Sequence, residues 1–236
     1  MRYKIADLVT EIPEVGGLAP LLREYVCAGD APAQIVIDPT RFKPEVYQEE
    51  LDEKILAYLE TGRQFYTELL HFNGFYLHAS AVAYEGRAYL FSADSGTGKS
   101  THTRLWQRVF GEDVKIFNDD KPPLRYLDGV WYAYGAPWCG KDNINMNIKV
   151  PVAGICFLKQ AQENKIRRLS PAEAVSRIIC QTIRQFKRVD RMDLLLSYVE
   201  KIVQQIPVFE MENRPEPEAA QLSYETMRKA AEELGL

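Results

Sequence analysis

The sequence is poor in cysteine and histidine, and the few that it has stand far apart. Its four cysteines form no Cys-x-x-Cys pair, and none of the three histidines lies at metal-ligand spacing from them. This pattern argues against a zinc site, and it gives no sign of a disulfide framework.

Long hydrophobic runs and a surplus of positive charge are also lacking. No stretch of about 18 apolar residues occurs, and the first residues contain no hydrophobic segment of signal-peptide length. The 29 basic and 33 acidic residues give a formal net charge of −4, unlike the basic surface of a nucleic-acid-binding protein. We therefore expect a cytoplasmic protein with no membrane span and no nucleic-acid partner.

The composition is sufficient for one substantial hydrophobic core. The chain has 236 residues, of which 46% are hydrophobic, and it includes 13 Tyr, 10 Phe and 3 Trp. A chain of this length folds as one domain or as a core with a small appendage. We expect a single domain over residues 1–236, with residues 73–236 as its core and residues 1–72 as a candidate N-terminal lobe.

Hydrophobic spacing predicts an α/β fold in which strands are dense in the centre and helices follow at the end. The first part is predicted to hold strands at Tyr3–Ile12 and Gln34–Asp38, with a short helix at Leu18–Val26 between them. Apolar residues at three-to-four spacing then predict a long helix over Glu49–Phe72, which Gly74 ends.

Two turn signals and a helix cap organise the rest of the chain. Glu85-Gly86 and Asp128-Gly129 each predict a tight hairpin turn, and Ser170–Glu173 is a capping box that begins a helix. The predicted strands are Phe75–Tyr84, Ala88–Ser92, Val114–Phe117, Leu124–Leu127, Val130–Tyr134, Val152–Leu158, Lys165–Leu169 and Pro207–Met211. The other predicted helices are Lys99–Phe110, one from Asp190 to before Pro207, and Pro217–Leu234.

A glycine-rich segment, Ala93–Ser100, lies between a predicted strand and a predicted helix. It fits the P-loop pattern G-x-x-x-x-G-K-[ST], except that Ala93 replaces the first glycine. The two remaining glycines permit a backbone whose N–H groups point inward onto a phosphate, the lysine adds a positive charge, and the last hydroxyl can bind Mg²⁺. The predicted nucleotide-binding residues are Ser95, Gly96, Thr97, Gly98, Lys99, Ser100 and Thr101. The alternative is a glycine-rich surface turn with an incidental lysine.

Two adjacent carboxylates follow the next predicted strand. Asp119 lies twenty residues beyond Lys99, and Asp120 follows it directly. Phosphoryl transfer needs carboxylates near the phosphate, one to hold the metal and one to orient or deprotonate the attacking hydroxyl. A solvated Asn-Asp-Asp turn is the other interpretation. His78 lies within the predicted strand Phe75–Tyr84, the first strand of the hairpin that leads to the glycine-rich segment. A lone histidine in a strand is more often structural than catalytic.

A later loop could contact the substrate. Gly135–Lys141 contains a proline, two glycines, the aromatic Trp138 and the cation Lys141. Ordered loops of this kind often carry binding residues, so Trp138 and Lys141 are candidates for holding substrate or nucleotide. The alternative is a structural loop that Trp138 anchors.

Taken together, His78, the segment Asp94–Ser100 and the pair Asp119-Asp120 resemble the catalytic domain of HPr kinase/phosphorylase. They resemble more closely the smaller HPr-kinase-like serine kinases found beside peptide-modification genes. The resemblance covers roughly residues 75–141. Ser95–Ser100 is also similar to the loop of ATP-dependent phosphoenolpyruvate carboxykinase, whose fold is related.

This resemblance implies a P-loop on a mixed β-sheet with flanking helices, and a phosphotransferase that uses ATP and Mg²⁺. The implied acceptor is a serine hydroxyl in a peptide or small protein. Lys99 would contact the transferred phosphate, Ser100 and Asp120 would bind the metal, and Asp119 would act as general base with support from His78.

Two departures from the expected motifs leave alternatives open. Thr101 stands where HPr kinases carry an acidic residue, and Ala93 replaces the first glycine of the P-loop pattern. A nucleotide-binding sensor or non-catalytic partner protein is therefore one alternative, and a kinase of a small metabolite is another. The sequence does not distinguish ATP from GTP or pyrophosphate, and a homo-oligomer stays open.

Overall fold

The chain forms a mixed α/β fold in the computed structural model, which describes residues 1–14, 17–29, 31–47, 51–182 and 188–236. The strands are β1 (Arg2–Ile5), β2 (Leu8–Glu11), β3 (Ile35–Val36), β4 (Gly74–Tyr76), β5 (Ala79–Tyr84), β6 (Arg87–Ser92), β7 (Lys115–Asp120), β8 (Pro123–Leu127), β9 (Val130–Tyr134), β10 (Lys149–Gln160), β11 (Lys165–Arg168) and β12 (Val208–Asn213). The helices are α1 (Ala19–Leu22), α2 (Glu53–Leu69), α3 (Lys99–Phe110), α4 (Pro171–Cys180), α5 (Val189–Gln205) and α6 (Pro217–Glu233).

The N-terminal part forms a small three-stranded sheet in the order β1-β2-β3. The prediction of one strand over Tyr3–Ile12 is wrong, because Ala6 and Asp7 adopt left-handed conformations (φ 50° and 62°) and turn the chain into the β1–β2 hairpin. The predicted helix over Leu18–Val26 is found only as α1, and a 3-10 turn at Arg23–Tyr25 follows it.

Helix α2 is the long helix that the sequence predicts, with different ends. It begins after Asp52, whose carboxylate accepts a hydrogen bond from the Lys54 N–H at 2.8 Å. The predicted start at Glu49 falls among residues 48–50, which lie outside the described part of the chain. The helical segment ends at Asn73 (φ 57°) rather than at Gly74, which is the first residue of β4. Asparagine is one of the few residues besides glycine that tolerate this conformation.

The larger sheet places the ends of two distant strands side by side. Its nine strands run in the order β4-β8-β9-β10-β6-β5-β7, with β12 beside β10 and β11 beside β12. Strand β5 is antiparallel to both β6 and β7, so β6 and β7 run in the same direction. Their carboxyl ends therefore meet at one edge of the sheet, where the glycine-rich segment and the two aspartates lie.

Helices cover both faces of this sheet, which confirms the predicted α/β class with a mixed sheet and flanking helices. Along β6, Leu90 packs into the core shared with α4 and α5, whereas Tyr89 and Phe91 pack into the core shared with α3 and α6. The hairpin turns at Glu85-Gly86 and Asp128-Gly129 are confirmed, with positive φ at all four residues. The capping box of α4 is confirmed too.

A third hydrophobic core joins the N-terminal part to the large sheet. It combines Ile5 and Leu8 of the small sheet, Phe65 and Leu69 of α2, and Trp138 from the loop after β9. Whether residues 1–72 form a separate lobe stays a prediction. In the described ranges, every helix is too short or too polar to span a membrane.

Candidate functional site

The glycine-rich segment forms a turn between β6 and α3. Gly96 (φ 78°) and Gly98 (φ 108°) both adopt backbone conformations that L side chains rarely take. Gly98 is also the N-cap of α3, and a glycine has no side chain to accept a hydrogen bond from the first helical turn. The start of this helix can therefore offer its backbone N–H groups and its positive dipole end to an anion.

The side chain of Lys99 lies across this turn. Its Nζ donates to the carbonyl oxygen of Ala93 at 2.9 Å and to that of Asp94 at 3.4 Å. Burial lowers the pKa of Lys99, and the nearby carboxylates of Asp120, Asp119 and Asp94 oppose that shift. The ammonium group is thus held by carbonyl groups of the loop and lies near three carboxylates.

Ser100 and Asp119 contact each other directly. The Ser100 hydroxyl donates to Asp119 Oδ1 at 3.1 Å. Burial raises the pKa of the Asp119 carboxyl, against hydrogen bonds from Ser80 and Ser100 that favour its charged form. The residue predicted to bind the metal and the residue predicted to act as base therefore lie within one hydrogen bond of each other.

Asp120 lies between two potential cations. One of its oxygens is 3.3 Å from His78 Nε2, and the other pairs with the Lys121 ammonium group. Burial alone would raise the pKa of Asp120, but the hydrogen bond with His78 and the charge of Lys121 outweigh it and lower the pKa. The pKa values of the two neighbouring aspartates are thus shifted in opposite directions, that of Asp120 downward and that of Asp119 upward.

Gln181 connects His78, and through it Asp120, to the glycine-rich loop. Its side-chain Nε2 donates to Asp94 Oδ1 at 2.8 Å, so its Oε1 faces His78 Nδ1 at 3.0 Å. Both ring nitrogens of His78 consequently face oxygen acceptors, because the other nitrogen faces Asp120.

The turn after Asp120 is fixed by Asn118 and Tyr66. The Asn118 side-chain oxygen accepts from the backbone N–H groups of Asp120 and Lys121 at 3.3 and 3.0 Å. The Tyr66 hydroxyl, in α2, donates to the carbonyl oxygen of Lys121 at 2.5 Å. Sequence reasoning missed Gln181, Asn118 and Tyr66. The Asn-Asp-Asp triplet was a usable signal for Asn118, whereas the other two reach the site only through tertiary packing.

Trp138 lies in the core of the protein. It is 1% exposed, its ring stacks on Phe65 with centroids 4.8 Å apart, and its Nε1 donates to the Thr61 hydroxyl at 3.1 Å. These contacts are those of a loop anchor, although the ring also borders a cavity next to Asp120. Lys141 is exposed in the turn that follows, and the roles of both residues in substrate binding stay predictions.

The oxygen-rich side chains near the loop are suited to a hard cation. Within the part of the chain that the structure describes, no group of three or more His, Cys, Asp or Glu side chains is placed to hold a metal ion. A Mg²⁺ ion often takes only one or two carboxylates and completes its shell with water and substrate phosphates. The hydroxyl of Ser100 and the carboxylates of Asp119 and Asp120 therefore fit Mg²⁺ in combination with a nucleotide.

A buried histidine fixes α3 from its other side. His102 Nδ1 lies 3.2 Å from Asn213 Oδ1, and its Nε2 lies 3.0 Å from the Ser223 hydroxyl, which also accepts from Trp106 Nε1. These bonds tie the first turns of α3 to β12 and α6. Burial lowers the pKa of His102 to about 4, against an ordinary value of 6.5.

We expect this histidine to make the protein sensitive to acid. Between these two pKa values the unfolded chain binds the proton and the folded chain does not, so stability falls as the pH falls. The His102 contribution to the loss should be about 2 kcal/mol between pH 7 and pH 5. Urea unfolding of the wild-type protein and of His102→Gln at both pH values measures it, because carboxylate effects are common to both proteins.

The matched control is His71→Gln, which changes an exposed histidine. It should show the same pH dependence as the wild-type protein. An unchanged pH dependence in His102→Gln would contradict the prediction.

Comparison with known proteins gives a matching family model and a similar solved structure. The family model described as "SynChlorMet cassette protein ScmC" matches residues 46–212. A solved structure of the Hpr(Ser) kinase/phosphatase from Coxiella burnetii is similar, with 11% sequence identity and a TM-score of 0.37, over 67% of this chain and 95% of that chain. A search of curated proteins finds no match.

Proposed function

We propose that this chain, which belongs to the family of the SynChlorMet cassette protein ScmC, is a phosphotransferase that uses ATP and Mg²⁺. The proposed acceptor is a hydroxyl group, namely that of a serine in a peptide or small protein. The choice of acceptor follows from the resemblance of residues 75–141 to HPr-kinase-like serine kinases.

The observation that carries the proposal is the meeting of the glycine-rich loop with the aspartate pair. Ser100, at the start of α3, lies 3.1 Å from Asp119 at the end of β7, and Lys99 lies near both aspartates. Phosphoryl transfer requires this combination of backbone donors, a cation and carboxylates around one phosphate group. A glycine-rich surface turn would not need a half-buried carboxylate beside its last hydroxyl.

Mg²⁺, when bound, supplies positive charge that stabilises the phosphate oxygens during transfer. Ser100 would hold it together with one of the two aspartates. The N–H groups at the start of α3 and the ammonium group of Lys99 would bind the phosphates. To do so, Lys99 must exchange its hydrogen bonds with the loop carbonyl groups for bonds to phosphate oxygens.

The transfer step involves one bond made and one bond broken. The acceptor oxygen forms a bond to the γ-phosphorus, while the bond from that phosphorus to the bridging β–γ oxygen breaks and ADP leaves. The hydroxyl proton passes to a carboxylate of the protein. We propose Asp119 for this role, because its raised pKa brings it closer to that of an effective base. Asp120 would then serve the metal, and His78 would hold Asp120 in place.

One observation favours the opposite division of roles. Asp120 and His78 line a cavity next to the site, whereas Asp119 contacts Ser100, the proposed metal ligand. In that arrangement Asp120 would face the acceptor and Asp119 would bind Mg²⁺. Substitution of each aspartate distinguishes the two assignments. The aspartate that acts as base is the one whose replacement abolishes phosphoryl transfer but leaves metal-dependent nucleotide binding intact.

The direct test is to incubate the purified protein with γ-labelled ATP, Mg²⁺ and a lysate, and to identify labelled products by mass spectrometry. We expect phosphoserine in a peptide or small protein. Parallel titrations with ATP, GTP and pyrophosphate establish the nucleotide. Binding of nucleotide without transfer to any acceptor would favour a sensor, and a labelled metabolite would favour a small-molecule kinase. Absence of nucleotide binding would overturn the proposal.

A further inference from the structure

A cavity of about 450 Å³ lies between α2 and the end of β7. One wall consists of Tyr58, Leu59, Gly62, Arg63 and Tyr66, whose spacing of three and four residues places them on one face of the helix. The opposite wall includes the site residues His78, Asp120, Lys121 and Gln181. The cavity is therefore continuous with the proposed site of transfer.

The charged groups around the cavity are paired with each other. Arg63 forms a salt bridge to Glu60, with Nη2 and Oε2 2.6 Å apart, and Glu60 is fully buried. The hydroxyl of Tyr47, on the rim, also donates to Glu60 at 2.8 Å. On the opposite wall, Lys121 pairs with Asp120. A charged ligand group entering the cavity would thus have to compete with existing pairs, whereas an uncharged group would not.

Aromatic rings form a large part of the remaining cavity lining, namely those of Tyr47, Tyr58, Tyr66, Tyr76 and Trp138. Trp138 closes its floor against Gly62, where an added Cβ would come within 2.9 Å of the Trp138 ring. The hydroxyl of Tyr66 already donates to the Lys121 carbonyl, and that of Tyr58 accepts from the Gly140 N–H. The rings of these residues, rather than their hydroxyl groups, are what the cavity offers to a ligand.

We infer that this cavity receives an uncharged aromatic or large apolar group, which the acceptor carries next to its reacting hydroxyl. The inference rests on the proposed function, since the acceptor hydroxyl would lie at the aspartate pair, of which Asp120 borders the cavity. The cavity volume lies within the range of about 300–1,000 Å³ that is usual for small-molecule pockets. A serine side chain alone would therefore leave most of this cavity unfilled. Such a group occurs either as the side chain beside a serine in a peptide or as part of a free aromatic alcohol.

A series of peptides tests the inference on the wild-type protein. The peptides contain one serine with Phe, Leu, Ala, Asp or Lys as its neighbour on either side, and kcat/KM for phosphorylation is measured. We expect values at least about tenfold higher for Phe or Leu than for Ala, and no gain for Asp or Lys. A free aromatic alcohol, 2-phenylethanol, forms the second arm. The inference would be overturned if kcat/KM were the same for all five neighbouring residues and 2-phenylethanol were not phosphorylated.

A substitution that fills the cavity gives the complementary test. Leu59→Trp places a larger side chain on the cavity wall, and it should raise KM for the best acceptor at least about tenfold. The control is Ile55→Trp, which adds the same side chain one turn earlier at a position that is 51% exposed. An unchanged KM in a folded Leu59→Trp protein would contradict the inference.

Nucleotide binding separates failure of this inference from failure of the proposed function. Each protein is titrated with ATP and Mg²⁺ before acceptors are added. If nucleotide binds and serine is phosphorylated irrespective of its neighbours, only the role of the cavity is wrong. If no nucleotide binds to the wild-type protein, the proposed function itself fails.

Discussion

Replacing Lys99 with methionine is expected to lower the affinity for ATP and Mg²⁺ by about tenfold to a hundredfold. The rate of phosphoryl transfer should fall further, by about a hundredfold to a thousandfold, because the charge on the transferred group develops most strongly in the transition state. Methionine retains an unbranched side chain of similar length, and it removes only the ammonium group that lies across the loop. Titration calorimetry and initial rates measure the two effects separately.

The matched control is Lys115→Met. Lys115 is exposed at the start of β7, at the opposite end of that strand from the aspartates. Its replacement removes the same charge from the protein and should change neither affinity nor rate. Equal loss in both variants would indicate a general effect of charge, and unaltered binding in Lys99→Met would exclude the loop as the phosphate site.

Local signals in the sequence were sufficient for the hairpins and for α3. The turns at Glu85-Gly86 and Asp128-Gly129 depend on residues that accept positive φ, and this preference is encoded within two positions. Helix α3 follows from its glycine N-cap and its apolar spacing, and its predicted bounds, Lys99–Phe110, are those observed. Such features do not require knowledge of the remainder of the chain.

Where a distant segment intervenes, the prediction fails. The predicted strand Phe75–Tyr84 is interrupted between β4 and β5, at Leu77 and His78. There the His78 N–H donates to the Gln181 carbonyl oxygen at 2.7 Å, and the Thr182 hydroxyl donates to the Tyr76 carbonyl oxygen at 2.7 Å. These partners lie more than one hundred residues away along the chain, so no local pattern could indicate the break.

In the candidate site, too, some features follow from the local sequence and others depend on distant segments. The order of residues in Ala93–Ser100 is enough to predict a phosphate loop. The placement of His78 against Asp120, by contrast, depends on the register of two strands. Ala79 of β5 pairs with Asp120 of β7. This pairing places His78, the residue before Ala79, next to the Asp120 carboxylate. The cavity required still more, because one of its walls comes from α2, in the part of the chain before the resemblance begins.

The separate roles of the two aspartates lead to the second large expected effect. Asp119→Asn should reduce phosphoryl transfer by about a hundredfold to ten-thousandfold, which is the usual contribution of a general base. Its affinity for ATP with Mg²⁺ should stay within a few-fold of the wild-type value, because the loop and Lys99 are intact. Asp120→Asn should instead weaken binding in the presence of Mg²⁺ and leave metal-free binding unchanged.

The pH dependence of the rate gives an independent criterion. A base must be unprotonated, so the rate falls as the pH drops through its pKa. Burial raises the pKa of Asp119, whereas His78 and Lys121 lower that of Asp120. If Asp119 is the base, the rate should begin to fall at a higher pH than for an ordinary aspartate, whose pKa is about 3.9. If the folded protein keeps its full rate to a pH below that expected for an ordinary aspartate, the base is Asp120, whose pKa is lowered.

If Asp120 is the base and Asp119 the metal ligand, the expected effects of the two substitutions are exchanged. Asp120→Asn would then abolish transfer and retain metal-dependent binding, and Asp119→Asn would lose that binding through its contact with Ser100. Asparagine preserves the size of both side chains, so the comparison tests charge rather than packing. If both variants transferred phosphate at the wild-type rate, neither carboxylate would take part, and the proposed chemistry at the end of β7 would be wrong.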